Sequence, residues 1–476
     1  MARDPDVIII GAGMAGLAAA RELGRAGLSV CMLEARERMG GRVFTVHDPA
    51  CSVPIELGAE FIHGRAREIW DPLEKAKIKV TEVDGDSWCI SEGRLSSCDF
   101  FEDVDSILDK MDDSVPDESF STFLQRRFGE PRTKAQREAQ RHATSYVSGF
   151  NAADPALVGV HWLVQGMRAE EKIQGDRAFR AQNGYTALVS LFCDQIATFG
   201  ADLRTETIVE SVNWRERNVK VTAHNYRGSL MVEASKVLIT VPLSVLKASA
   251  RQSGAIQFTP QLPAQKLEAL DKMEMGKVIR VVLRFRERFW EAIKPSARSR
   301  KNLSGMSFLF SQSEWFPTWW TTMPEKSPLI TAWAPFRSAE RLSGQSEQFV
   351  TEHALQTLSD LLGPGVRELQ GLLERSYLHD WQSDPFSLGA YSYGKVGADG
   401  AQQAIAEPLE NTVFFAGEAT DTTGHNGTVH AAIASGYRAA KRFCNLWNGS
   451  MLLLDRLQIS QHSLRVSFTH AKRHHR

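Results

Sequence analysis

Residues 6–35, DVIIIGAGMAGLAAARELGRAGLSVCMLEA, constrain the fold more than any other stretch. The unbroken apolar run Val7–Ile10 reads as a parallel strand buried on both faces. Leu17–Leu23 predicts an Ala-rich helix and Leu28–Leu33 a second strand, so one βαβ unit closes within about 30 residues. Between the first two elements, Gly11-Ala12-Gly13-Met14-Ala15-Gly16 matches GxGxxG. Gly11 permits a tight turn, Gly13 lets backbone approach a pyrophosphate, and Gly16 lets helix pack on strand. The amides that open the helix, Ala15 among them, are free to meet an anion. Glu34 ends the second strand, where a carboxylate can bind ribose hydroxyls, and Ala35 and Arg36 follow it. Glycines alone could make only a tight turn; the strand, helix and acid around them favour a dinucleotide.

A chain of 476 residues exceeds one ordinary core, and two domains are expected. Apolar content of 43% with 24% charged residues describes a globular protein. Lys and Arg (56) balance Asp and Glu (57), so no overall field argues for nucleic acid. Cys31, Cys51, Cys89, Cys98, Cys193 and Cys444 form no CxxC pair, which argues against zinc or a dithiol centre. Reduced thiols and a cytoplasmic location are expected. No signal peptide fits before the first strand, and no apolar stretch reaches the ~18–20 residues of a membrane span. MLLL at 451–454 is far too short, and AKRHHR closes the chain as a small basic tail.

Residues from about 100 to 200 read as mostly helical. Strands follow in TIVESVNW, NVKVTAH and KVLITVP, the last stopped by Pro242. Further strands are expected near 278–286 and 307–311, a helix near 347–362, and strand, loop and helix again at 411–443.

EARERMGGR puts Gly40 and Gly41 just before Arg42, a second close backbone approach suited to a long cofactor, with Arg42 near its phosphates. At these residues the chain resembles the flavin-containing amine oxidase family, which shares this GxGxxG…E-A-R…GGR arrangement. IELGAEFIHG (55–64), with Gly58, Ala59 and Glu60, resembles the segment that passes the flavin in polyamine oxidases. TIVESV (207–212) resembles the strand whose Val209 backbone would meet the adenine. WQSDPFSLGAYSY (381–393), with Trp381, and FFAGEATDTTGHNGTVHAAIASGYRAA (414–440), with Gly417, Glu418, Gly427, Thr428 and Val429, resemble the C-terminal signatures.

The resemblance implies an α/β fold, with a Rossmann-like FAD-binding domain assembled from discontinuous segments and a mixed α+β substrate domain. Residues 1–75, 200–255 and 395–450 would form the first, 76–199 and 256–394 the second, and 451–476 a tail. FAD would be non-covalent, because Ala390 stands where monoamine oxidases carry the linking cysteine. A helix starting near Thr428 would aim its positive end at the flavin and favour the reduced state.

On the substrate side, Tyr391 matches an aromatic wall beside the flavin, and Thr428 stands where monoamine oxidases place a second tyrosine. His63 lies in the FIHG pattern beside the substrate, where a near-neutral pKa suits proton exchange; a loop histidine bonded to backbone is the plainer reading. Glu60 is expected to present backbone to the flavin rather than bind a cation, and no acidic cluster is legible. Trp315, Phe316, Trp319 and Trp320 read first as core and second as a tunnel wall.

GKVIRVVLRF (276–285) alternates as a strand. Arg280 falls where most relatives place a lysine that holds a water against flavin N5. Arg284 reads as solvated, and Lys277 lies on the opposite face. Holding that water, stabilising reduced flavin and binding a substrate carboxylate all remain open for Arg280.

The implied activity is FAD-dependent oxidation of an amine, a polyamine foremost, by hydride transfer to flavin N5, with O₂ reduced to H₂O₂. An L-amino-acid oxidase, a dehydrogenase or desaturase with poor O₂ use, and a low-turnover FAD-binding protein are the alternatives. Histone demethylase catalytic domains share local motifs but carry an N-terminal domain and a helical insertion that this sequence does not suggest. A small-molecule amine and O₂ are the expected partners, without metal, nucleic acid or membrane span.

Overall fold

The computed structural model describes residues 4–98, 100–296 and 299–447. The basic tail, MLLL and the rest of 451–476 lie outside them. Val7–Ile10 forms the middle of a five-stranded parallel sheet in the order Asp202–Arg204, Val30–Leu33, Val7–Ile10, Lys236–Ile239, Val413–Phe415. Its two faces serve two cores, as an uninterrupted apolar strand requires. Val7 and Ile9 pack with Leu17, Leu188, Phe192 and Phe443. Ile8 and Ile10 pack with Val212, Leu243 and Phe415. The Thr186–Thr198 helix shares the first of these cores, alongside the Met14–Arg25 helix.

That first helix begins three residues earlier than the apolar spacing suggests, because Gly13 at φ −70, ψ 176 supplies an extended N-cap. No side chain caps it and no acid lies in its first turn. Its opening amides therefore stay available to an outside acceptor.

A seven-stranded sheet runs Leu373–Leu378, Val278–Phe285, Leu329–Pro335, Thr318–Thr321, Met306–Phe310, Asp86–Ser91, Arg94–Ser97. Ile279, Val281, Leu283 and Phe285 enter a core with Trp290, Trp319 and Leu358. Leu358 belongs to the Glu347–Leu362 helix, capped by Ser346 and ended by Gly363 at φ +95. The opposite face of Val278–Phe285 turns Arg280 toward the interior, where it is 4% exposed.

Two expectations fail. Arg284 is not a solvated residue: its strand lies between two others, and the guanidinium pairs with Asp48 at 3.1 Å and Glu374 at 3.3 Å. The cysteines are not all reduced, since Cys89 and Cys98 form a disulfide. Asp86–Ser91 and Arg94–Ser97 pair as a hairpin with Cys89 opposite Ser96, which brings the two Cα atoms to 5.5 Å. Cys31, Cys51, Cys193 and Cys444 are free. Among the described residues no helix is long and apolar enough to cross a membrane.

Candidate active site

A cavity of about 1010 Å³ is lined from both the parallel and the seven-stranded sheet. At one end Gly11 takes φ +100 and Gly41 φ +60. A Cβ on Gly41 would lie 3.0 Å from the Cα of Gly13, so the two glycine pairs meet backbone to backbone. The amide of Gly40 donates to the carbonyl of Ala12 at 2.8 Å and ties the pairs together. Gly16 packs behind the turn, where an added Cβ would sit 2.1 Å from the Gly11 carbonyl oxygen.

Glu34, 4% exposed, accepts from the amides of Ala12 at 2.7 Å and Arg36 at 2.9 Å, which fixes its carboxylate at the cavity edge. Arg36 pairs with Asp384 at 2.7 Å, and Ala35 and Val209 complete this wall. Uncapped helix amides, glycines without room for side chains and a buried carboxylate suit a dinucleotide with pyrophosphate and ribose. The residues present therefore fit FAD.

Farther in, Gly58 and Ala59 line the cavity, and a Cβ on Gly58 would lie 1.9 Å from the carbonyl oxygen of Arg42. The Trp381 indole donates to the Leu57 carbonyl at 2.8 Å and holds that segment. Arg42 donates to Glu418 at 3.0 Å and to the Ala390 carbonyl at 2.5 Å, while Glu418 also accepts from the Ser392 hydroxyl at 2.6 Å. Gly417, Gly427 and Val429 line the same wall, and no cysteine lines the cavity among the described residues. The hydroxyl of Thr428 accepts from the Ala431 amide at 3.1 Å and donates to the His425 carbonyl at 2.6 Å, so it caps the helix spanning 429–447. Of the cofactor residues read from the sequence, all but Gly16 line this cavity.

Glu60 departs from expectation: its side chain binds cations. The carboxylate pairs with Arg280, with Arg180 at 2.7 Å, and accepts from the Trp320 indole at 3.0 Å. Arg280 also donates to the Gly58 carbonyl at 2.7 Å, leaving its Nε without a partner. Burial pulls both guanidinium groups down to about 10. Behind them, Glu56 accepts from the Tyr185 amide and the Thr45 hydroxyl, each at 2.7 Å, and burial raises it to about 7. Lys277 takes no part and pairs with Glu340 at 2.6 Å.

Aromatic rings form the next wall. His63 stands edge-on to Phe150 at 5.2 Å, and Phe150 stacks on Tyr146 at 5.0 Å. Tyr391 donates its hydroxyl to the Phe150 carbonyl at 2.5 Å and lays its ring against Gly427. Burial lowers His63 to about 4, so the imidazole is neutral at physiological pH. Of the Trp-rich segment, Phe316 and Trp319 are fully buried in the core, whereas Trp320 faces the cavity.

Acidic residues then gather where none were legible as a group. Asp105, Asp109, Glu171 and Asp176 are exposed and line the mouth. Arg177, the cation beside them, is spent on Glu82 at 2.5 Å. Glu170 lies deeper, with no hydrogen bond or ion pair through its carboxylate among the described residues, and burial raises it to about 7. Sequence reasoning missed Glu56, Tyr146, Glu170, Arg180 and His430. Glu170 in MRAEE reads locally as a solvated helix face, and only the packing of Val160–Glu171 turns it inward.

The family described as flavin containing amine oxidoreductase matches residues 14–100 and 91–444. Polyamine oxidase 2 of Arabidopsis thaliana is 28% identical over 92% of this chain and 88% of its own length. Lysine-specific histone demethylase 1 homolog 1 of Oryza sativa subsp. japonica is 30% identical over 92% of this chain, which spans about half (52%) of that protein. Among solved structures, a putrescine oxidase bound to putrescine superposes with TM-score 0.74 at 22% identity, over 92% of this chain and 98% of its own. Cyclohexylamine oxidase from Brevibacterium oxydans gives 0.73 at 21% identity, over 94% and 100%.

Proposed function

The chain belongs to the flavin-containing amine oxidoreductases, and from that premise we propose that it oxidises a di- or polyamine with non-covalent FAD. The observation that carries the polyamine reading is Glu170, an inward, unpaired carboxylate between an aromatic wall and an acidic mouth. Methylene chains suit the rings, and a second ammonium suits the carboxylate. A monoamine leaves Glu170 buried without a partner, which costs free energy.

FAD, when bound, supplies the acceptor for a hydride taken from the carbon beside nitrogen. The cofactor residues are proposed to be those of the glycine cradle, Glu34, Ala35, Arg36, Arg42, Gly58–Glu60, Val209, Trp381, Gly417, Glu418 and Gly427–Val429. Among the residues expected to be catalytic, Tyr391 is a wall that excludes water and disfavours the ammonium form of the reacting nitrogen. His63, neutral, takes a hydrogen bond or proton from that nitrogen. Thr428 acts by capping the helix whose first amides would meet a bound flavin. Arg280 fastens the Gly58–Glu60 segment through Gly58 and Glu60, so it is not free to receive a substrate carboxylate, which speaks against an amino-acid oxidase.

The cofactor domain would comprise 1–75, 200–255 and 395–450, and the substrate domain 76–199 and 256–394. The Thr186–Thr198 helix is better assigned to the first, since it packs in that core.

Anaerobic flavin bleaching by spermine, spermidine, putrescine, aromatic monoamines and amino acids tests the proposal. Bleaching is expected with the polyamines and diamine. Bleaching by monoamines alone would remove the polyamine reading, and none at all would remove amine oxidation. O₂ is the proposed acceptor, but the commitment of Arg280 to Glu60 also favours a second reading as a dehydrogenase with poor O₂ use. Peroxide yield and reoxidation rate, compared with Arg280→Lys, separate the two; faster reoxidation in the variant would favour the dehydrogenase.

A further inference from the structure

The helix spanning 429–447 brings His430 to the cavity wall, and the loop 421–428 sets His425 behind it. His430 is 4% exposed and lines the cavity, and its Nε2 has no partner. The His425 ring lies 4.8 Å away at 72°, and its Nδ1 is also unpartnered. The loop is pinned: Asp421 accepts from the amides of Thr423 at 2.9 Å and His425 at 3.1 Å, and Thr428 donates to the His425 carbonyl at 2.6 Å. Asn426 Nδ2 between them is unpartnered as well, and buried nitrogens left without partners call for an explanation.

We propose that His430 and His425 conduct to solvent the proton that an ammonium substrate gives up beside His63. This rests on the amine-oxidase reading above. The ammonium N–H bond breaks and its electron pair stays on nitrogen. The proton passes along the imidazoles, through bridging water, to bulk water. The neutral amine left behind is the species able to give up its C–H with the bonding pair. A separate exit is needed because a bound polyamine fills the acidic mouth with its own chain.

The surroundings fit a conduit. His430 shares the cavity wall with His63 and is in ring contact with His425. The charges that act on His425 are those of Asp421 in its own loop, Glu68 of the Arg67–Lys75 helix and Lys172 at the end of the Val160–Glu171 helix. His425 is half-buried and touches the cavity-lining His430, while Lys172, whose charge acts on it, is exposed. Burial lowers His63 to about 4, His430 to about 3, and His425 below its ordinary value. Each ring is then neutral, with one nitrogen to donate and one to accept, and none traps a proton. No group of three His, Cys, Asp or Glu could hold a metal among the described residues, so the rings are not a metal centre.

The test mixes FAD-loaded protein with a diamine bearing two methyl groups on each carbon beside nitrogen, which has no hydride to give. Proton release to a pH indicator is followed by stopped flow. His425→Ala should release roughly tenfold more slowly or worse, and imidazole added to the buffer should restore the rate. His425→Gln, which keeps size and polarity but cannot be protonated, should show the same slow phase if the alanine variant fails to fold. Release at the wild-type rate in the variants would overturn the proposal. So would a slow phase that imidazole leaves unchanged, with flavin absorbance and melting temperature intact. Bleaching of the wild type by oxidisable amines reports separately on the reaction itself.

Discussion

Glu60 stands between the guanidinium groups of Arg180 and Arg280, with the Trp320 indole as a third donor. Glu60→Gln keeps the shape but removes the carboxylate paired directly with two buried cations, with only Glu56 left behind them. The expected cost is about 3–5 kcal/mol, read as a lower denaturant midpoint at unchanged slope. An unchanged midpoint would mean that water reaches the cluster and screens it. Glu170 makes the opposite case, a carboxyl whose charge is a burden when no ligand is bound. Folded, it keeps its proton up to about pH 7, while the ordinary value is 4.5. The folded state thus binds more protons between those values, and stability should fall as pH rises from about 4.5 to 7. Glu170→Gln should recover on the order of 2–3 kcal/mol at pH 8 and abolish that part of the pH dependence. The same variant should lose affinity for putrescine above pH 7, where the wild type gains it, as equilibrium binding against pH would reveal.

The first turn and its helix depend on backbone meeting backbone. Gly16→Ala places a methyl group 2.1 Å from the Gly11 carbonyl oxygen, an atom that cannot rotate away. Overpacking of this kind costs about 1–3 kcal/mol, and the displaced turn should release flavin during gel filtration. Gly371→Ala is the contrast, with nothing within 4 Å of the added methyl in the Val366–Leu372 helix. It should gain about 0.5–1 kcal/mol and keep its flavin. Val7–Ile10 was legible to the residue because a strand buried on both faces has only one pattern. Arg284 was misread because alternation separates faces without saying what covers each one. The Cys89–Cys98 pairing depends on hairpin register, which the spacing alone leaves undetermined.

Across the whole molecule, one cavity takes its wall from glycines near residue 11, the Gly58–Glu60 segment, Arg280 and the helix N-terminus near 428. A ligand that binds only this assembled wall stabilises every part that contributes to it. FAD at 100 times its dissociation constant should add about 2.7 kcal/mol, seen as a melting temperature that climbs with FAD concentration. A melting temperature indifferent to FAD would exclude the cavity as its site.

The dinucleotide cradle and the family could be read from the chain alone, and all but one of the cofactor residues read there line the cavity. These features are short motifs in which glycine, a strand end and an acid act on their immediate neighbours. The meaning of the charged groups could not be read this way. Arg180, Glu60 and Arg280 are separated by 120 and 220 positions, and Glu170 looks like part of a solvated face until its helix packs. Charge pairing and burial follow from distances through space, so only the folded chain decided that Arg280 belongs to Glu60 while Glu170 faces the cavity alone.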